Sequence, residues 1–256
     1  MTREPTGRDA RSAEGGPGSG TVPSAGARFA VRAVAFDLDG TLLDTVRDLA
    51  AAVNALLGES GLAPLPVATV RDLVGKGMAN LVSRALAARG RAPPQGDELA
   101  GLLARYQVLY AQRLGAQTTV FPGVAEGLAR LHAAGIPLAV VTNKASRFVG
   151  PHLEAAGLAG YIAVCVGGDD AAAKKPDPAP LQLAAARLDV PPARLLVVGD
   201  SGNDALAARA AGCPVVIVPY GYNEGRRVES LDADGIVASV REVADLVLRS
   251  RHDVAA

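Results

Sequence analysis

The sequence predicts a doubly wound parallel α/β domain interrupted by an all-helical insertion. Short apolar, β-branched runs recur at residues 30–36, 137–141, 162–166, 195–198 and 215–218, as buried strands require. Helical periodicity separates most of them, at 124–134, 146–156, 179–188 and 204–211, and strands alternating with helices form parallel sheets covered on both faces. The alternation breaks once. From residue 48 to 114 no strand pattern occurs, and apolar residues follow helical spacing at 49–57, 70–74, 78–88 and 99–114.

Taken in order, the chain opens on a segment unlike the rest. Gly, Ser, Pro and Thr dominate the first thirty residues, with Arg3, Arg8 and Arg11 interleaved with Glu4, Asp9 and Glu14. Such a segment cannot bury enough apolar surface to offset its ordering entropy, and it lacks the apolar stretch of a secretory signal. Residues 1–30 are expected to be a disordered, dispensable tail. The first strand follows, and 31–47 together with 118–256 make the α/β core. Gly135, Gly157 and Gly212 each stand just past a core helix, where a left-handed C-cap residue is wanted. Residues 48–117 form the helical insertion, a lid over the loops where binding sites form.

Composition narrows the class. Apolar residues make up 49 % of the 256, enough for a substantial core, and 26 basic side chains balance 26 acidic ones. That balance argues against nucleic acid or a membrane surface recruited by bulk charge. No apolar run approaches the roughly 18 residues that span a bilayer. The two cysteines, Cys165 and Cys213, read as small core residues of a reduced, cytoplasmic protein.

Chemistry-bearing residues gather at strand ends. The first strand runs into Asp37-Leu38-Asp39-Gly40-Thr41-Leu42. Two carboxylates leaving a buried strand are costly without partners, and a divalent cation attracts several oxygens at once. An acidic turn alone would serve as well as a solvated turn. Three further clusters share its place, however: Thr142-Asn143-Lys144, Lys174-Lys175-Pro176, and Gly199-Asp200-Ser201-Gly202-Asn203-Asp204. In an open parallel sheet the crevice beyond the strands' carboxyl ends binds ligands, and two acidic clusters facing two donor-rich ones describe a metal–phosphate site. Only four of the 26 basic residues are lysine (Lys76, Lys144, Lys174 and Lys175), and three fall in these clusters. A lysine kept in so arginine-rich a chain suits a compact point charge at phosphate.

The set DLDGTLLDT, TNK, KKPDP and GDSGND resembles the haloacid dehalogenase superfamily of phosphohydrolases, in its subgroup with a helical cap after the first strand of a Rossmann-like core. Within it, FPGV at 121–124, VGKG at 74–77 and PYGYN at 219–223 are similar to phosphoglycolate phosphatases; Thr45 stands where relatives commonly carry serine. The resemblance implies a Mg2+-dependent phosphatase for a small phosphoester. Asp37 is then the nucleophile and Asp39 the general acid–base. Thr142 and the Asn143 backbone bind phosphate, and Lys175 neutralises charge. Asp37, Asp200, the Asp39 carbonyl and Asp204 serve the metal, and Lys76 reaches the substrate from the cap. The partner is the small-molecule substrate, and the protein is a monomer or homodimer.

Other residues carry plainer readings. His132, His152 and His252 lack ligand-like company, Asp169-Asp170 suits a solvated loop, and Tyr106 with Tyr110 suits cap packing. Competing activities are a phosphomutase of the same superfamily, a carbon–phosphorus hydrolase with Lys76 as Schiff base, a dehalogenase, and a non-catalytic scaffold. Asp39 argues against the middle two, which do not need it, and the full set of motif residues argues against the last.

Overall fold

The computed structural model describes residues 30–252, so the tail expected over 1–30 lies outside the described residues except for Ala30. Six parallel strands form one sheet in the order β5-β4-β1-β6-β7-β8. These are β1 (Ala33–Phe36), β4 (Leu138–Val141), β5 (Val164–Val166), β6 (Leu195–Gly199), β7 (Val215–Ile217) and β8 (Gly235–Ile236). The central strands β1, β4 and β6 are buried along their whole length, which explains their unbroken apolar runs.

Side-chain alternation divides these strands between two cores. Ala33, Ala35, Ala139, Leu195 and Val197 face α7 (Ala179–Arg187) and α8 (Gly202–Ala211). Val34, Phe36, Leu138, Leu196 and Val198 face α5 (Val124–Ala133), α6 (Val149–Ala155) and α9 (Val240–His252). The doubly wound α/β class predicted from sequence is therefore the observed one. Gly135, Gly157 and Gly212 take φ of 68°, 69° and 73° behind their helices.

The helical block comprises α1 (Val46–Glu59), α2 (Val67–Arg71), α3 (Met78–Ala87) and α4 (Gly96–Ala111), with a core of its own. Tyr106 and Tyr110 are fully buried in that core, their rings stacked 6.1 Å apart. Phe148 and Tyr222 join it from the α/β side. The block begins at Val46, two residues earlier than the sequence suggests, because a distant side chain starts the helix. The Tyr222 hydroxyl accepts from the N–H groups of Thr45 (2.8 Å) and Val46 (3.1 Å) and donates to Asp44 Oδ1. It thus satisfies donors that a helix N-terminus leaves open.

A two-stranded antiparallel ribbon, β2 (Leu43–Asp44) with β3 (Thr119–Val120), ties the two crossings together. Beside it the buried Asp48 accepts from Gln117 N and Thr118 Oγ1, both at 2.8 Å, and Thr118 Oγ1 lies 2.8 Å from His152 Nε2. Burial, with Lys144 adding to it, lowers His152 to a pKa of about 4, so the ring is neutral at pH 7.

Some expected boundaries move. The helix read at 146–156 opens as a 3-10 turn over Ser146–Phe148, and Pro151, which lacks an N–H, sits in the first turn of α6. The helix read at 70–74 lies at Val67–Arg71. Asp169 caps the 3-10 turn through Ser146 N and Oγ, and Asp170 accepts from Gly167 N, so this pair shapes its loop. Both cysteines are free. Among the described residues no helix is long and apolar enough to cross a membrane.

Candidate active site

Strand register gathers the motif residues. Phe36 lies level with Val140 on one side and Val198 on the other, so the next few residues of β1, β4 and β6 leave the sheet together. Asp37 and Asp39 follow β1, Thr142 to Lys144 follow β4, and Asp200 follows β6; Lys175 enters from the segment before α7. Gly40 lets the first of these loops close against the third. Its φ is +94°, and a Cβ there would lie 2.3 Å from Asp200 Oδ2.

Carboxylate oxygens of Asp37, Asp200 and Asp204 lie within 4.8 Å of one another. Asp200 is held from two sides, by Thr41 Oγ1 (2.9 Å) and Tyr222 N (2.5 Å). Asp204 serves two structural partners. Its Oδ2 accepts from Ser201 N and Oγ in a capping box at the start of α8, and its Oδ1 accepts from Lys175 Nζ at 2.6 Å. Lys175 Nζ also donates to Val141 O (2.6 Å) and pairs with Asp37 Oδ1 at 3.0 Å. Removing Lys175 would leave Asp37 and Asp204 without their counter-charge, a loss of about 3–5 kcal/mol for so buried a pairing.

The charges are unevenly balanced. Burial raises Asp37 to a pKa of about 6, with Asp204 and Asp39 adding to the rise and Lys175 opposing it. Burial likewise raises Asp200 well above the carboxylate range, reinforced by Asp204 and Asp37. Lys175 is pushed further up despite its burial, by Asp204 and Asp37. Three carboxylates thus share one ammonium, and a set of hard oxygen donors short of positive charge fits a divalent cation.

Asp39 behaves differently. Burial, the largest single influence, opposes its ionisation, but Lys144, His152 and the hydrogen bonds from Lys144 and Thr45 together hold the group below its ordinary value. Lys144 Nζ lies 2.9 and 3.1 Å from the two Asp39 oxygens and 4.8 Å from the centre of the Tyr110 ring; Thr45 Oγ1 donates at 2.8 Å. The sequence reading left Lys144 without a role, although the scarcity of lysine marked it.

A small cavity of about 40 Å3 opens on these groups. Asp37, Asp39, Thr142, Asn143 and Lys144 form its floor, while Leu49, Val74, Met78 and Leu81 roof it from the helical block, with Gly75 and Gly77 between. The Asn143 side chain bonds across this gap, donating to Gly75 O and to Lys175 O at 2.9 Å. Lys76, expected over the substrate, stands elsewhere in this structure. Its ammonium pairs with Glu224 Oε1 at 2.9 Å, the side chain is 43 % exposed, and it does not line this cavity. Arg84 reaches the same carboxylate at 2.8 Å, and Arg71 donates to Tyr220 O and Gly221 O. These contacts latch the helical block to the loop after β7.

Known proteins resemble this chain in sequence and fold. The family model for haloacid dehalogenase-like hydrolases matches residues 31–212. A phosphoglycolate phosphatase of Nitrosospira multiformis is 49 % identical over 86 % of this chain and 97 % of its own, and one of Chromobacterium violaceum is 42 % identical over 85 % and 96 %. Among solved structures, a predicted phosphoglycolate phosphatase of Haemophilus somnus superposes with a TM-score of 0.80 at 32 % identity, over 85 % of this chain and 98 % of its own. CbbY of Rhodobacter sphaeroides, solved in complex with phosphate, gives 0.71 at 27 % identity, over 83 % and 96 %. Strand-end carboxylates, a buried lysine and a helical roof belong here to one continuous match, and the chain is a phosphatase of the haloacid dehalogenase-like hydrolase family.

Proposed function

We propose that this enzyme hydrolyses 2-phosphoglycolate to glycolate and phosphate through a phosphoryl group carried on Asp37. The observation that carries the reading is the convergence of the Asp37, Asp200 and Asp204 carboxylates, two of them paired with Lys175, beneath a cavity onto which Asp39 also opens. The substrate's identity rests on the relatives that bear that name, and on a small apolar-roofed cavity that favours a short tail.

Asp37 attacks phosphorus as the ester oxygen leaves, which splits one difficult displacement into two easier ones. Lys175 orients Asp37 and offsets its charge against the phosphate. Asp39, ionised at rest, takes up a proton that arrives with the substrate's phosphate and gives it to the departing oxygen, then takes one from the water that hydrolyses the acyl phosphate. Thr142 Oγ1 and the Asn143 N–H bind phosphate oxygens from the floor. Asp37, Asp200 and the Asp39 carbonyl would hold Mg2+, with Asp204 behind them keeping Lys175 and the α8 terminus in place. Bound there, the cation supplies charge neutralisation between nucleophile and phosphate and clamps the transferring group. The helical residues 48–117 act as a cap that excludes water from this chemistry.

Phosphate release from a panel of esters, with and without Mg2+, tests the reading. 2-Phosphoglycolate should give the highest kcat/KM, ahead of 2-hydroxyethyl phosphate, a sugar monophosphate and an aryl phosphate. A sugar phosphate processed only when its bisphosphate is added would instead make the enzyme a mutase.

Lys76 then acts through closure. An exposed pair such as Lys76–Glu224 is worth about 0.2–1 kcal/mol, so Lys76→Met should lower kcat/KM by no more than about fivefold. The loss should be equal for carboxylated and neutral-tailed esters. A loss confined to 2-phosphoglycolate would return Lys76 to the substrate.

A further inference from the structure

A carboxylate brought into the cavity gains from a cation there, because the roof side chains of Leu49, Val74, Met78 and Leu81 offer it no charge and no hydrogen bond. The nearby cations are almost all engaged elsewhere. Lys175 directs hydrogen bonds at Val141 O and Asp204 and is ion-paired with Asp37, and it does not line the cavity. Lys76 and Arg84 are paired with Glu224, and Arg71 is spent on two backbone carbonyls. Lys174 is exposed and sets its ammonium against Gly77 at the cavity's edge, without itself lining the cavity.

Lys144 alone of these cations lines the cavity. Its side chain is only 1 % exposed, and among the described residues its ammonium donates to Asp39 alone. Tyr110 presents a ring face to the same ammonium. Its position also suits the chemistry of the ester. In 2-phosphoglycolate a single methylene separates the carboxyl carbon from the ester oxygen, so whatever protonates that oxygen stands beside the carboxylate. Asp39 is that acid, and Lys144 is its neighbour.

We infer that Lys144 is the specificity residue of this enzyme, binding the carboxylate of the substrate while standing beside Asp39. The inference rests on the phosphoglycolate reading above. The substrate's carboxylate takes the place of an Asp39 oxygen on the ammonium, which leaves the Asp39 carboxyl turned to the ester oxygen. A neutral-tailed ester cannot make that exchange.

The test uses two ligands that cannot be hydrolysed, 3-phosphonopropionate and n-propylphosphonate, which differ only in the carboxylate. Their affinities are measured by calorimetry with Mg2+ present, for Asp39→Asn and for Asp39→Asn/Lys144→Met. The double variant removes both partners of the buried pair and is expected to fold, and a thermal melt checks the fold of Asp39→Asn, in which Lys144 keeps an amide oxygen but no counter-charge. The single variant should prefer the carboxylated ligand. The double variant should lose about 10- to 150-fold of that preference, the worth of one hydrogen bond between charged groups. An unchanged preference, or none in either variant, overturns the role of Lys144. The underlying reading is checked separately on wild-type enzyme. Failure to favour 2-phosphoglycolate there removes reading and inference together, whereas a clear preference there with no effect of Lys144→Met removes the inference alone.

Discussion

Asp37→Asn should abolish turnover while leaving the protein folded. An amide cannot form an acyl phosphate, and loss of an essential nucleophile costs on the order of 10⁴–10⁶-fold in kcat. The replacement is nearly isosteric, and Lys175 keeps Asp204 and Val141 O as partners. The sign of the stability effect follows from the raised pKa of Asp37. Its carboxyl stays protonated in the folded state up to about 6, against 3.8 for the ordinary group. The folded protein therefore holds more protons than the unfolded chain between those values, and metal-free stability falls as pH rises through them. Asparagine removes that cost, so the melting temperature of the variant in chelator at pH 8 should not fall below wild type. Asp39→Asn should differ in kind, losing roughly 10²–10⁴-fold as an acid–base group does while still accepting the phosphoryl group. Steady-state phosphate release and thermal melts measure both. Turnover of Asp37→Asn within tenfold of wild type would end the covalent mechanism.

Exhaustive chelation should remove activity by about 10³-fold or more, the scale of several kcal/mol of charge stabilisation. Mg2+ should restore it. Ca2+ should bind and restore little, because its looser, larger coordination misplaces nucleophile and phosphorus. Metal should also raise the melting temperature, since it resolves the crowding of Asp37, Asp200 and Asp204. Asp200→Asn should lose most of that thermal shift. Full activity in chelator, or a shift that survives the loss of Asp200, would contradict the site.

The parts of this molecule legible in the sequence are those fixed by local pattern. Apolar runs mark buried strands, and in a parallel sheet the residues just beyond them must share one edge, so Asp37, Asp39, Thr142 and Asp200 are brought together by topology alone. Lys175 follows from its place before proline in a motif shared with relatives. What the pattern hides is contact between distant segments. Tyr222 starts α1 from 177 residues away, and no periodicity announces it. Two-residue strands such as β2 and β3 are too short to show alternation. The helix α9 is legible in the sequence as well, for Val240, Val243, Ala244 and Val247 keep helical spacing into the core. Lys76 is a further contact that local pattern hides, since a glycine-flanked lysine in the cap invites a substrate role, while Glu224 after β7 pairs with its ammonium in this structure. Asp204 carries two structural tasks that a motif cannot separate from metal binding.

The most direct test of the central claim is to look for the phosphoryl group itself. Enzyme mixed with 2-phosphoglycolate and Mg2+ is quenched in acid within the first turnovers, digested, and analysed by mass spectrometry. A phosphoryl adduct on the peptide containing Asp37, stronger in Asp39→Asn, where hydrolysis of the intermediate is slowed, and absent from Asp37→Asn, is the predicted result. Phosphate released by wild-type enzyme with no adduct on that peptide in either wild type or Asp39→Asn, or with the adduct on another residue, would contradict it.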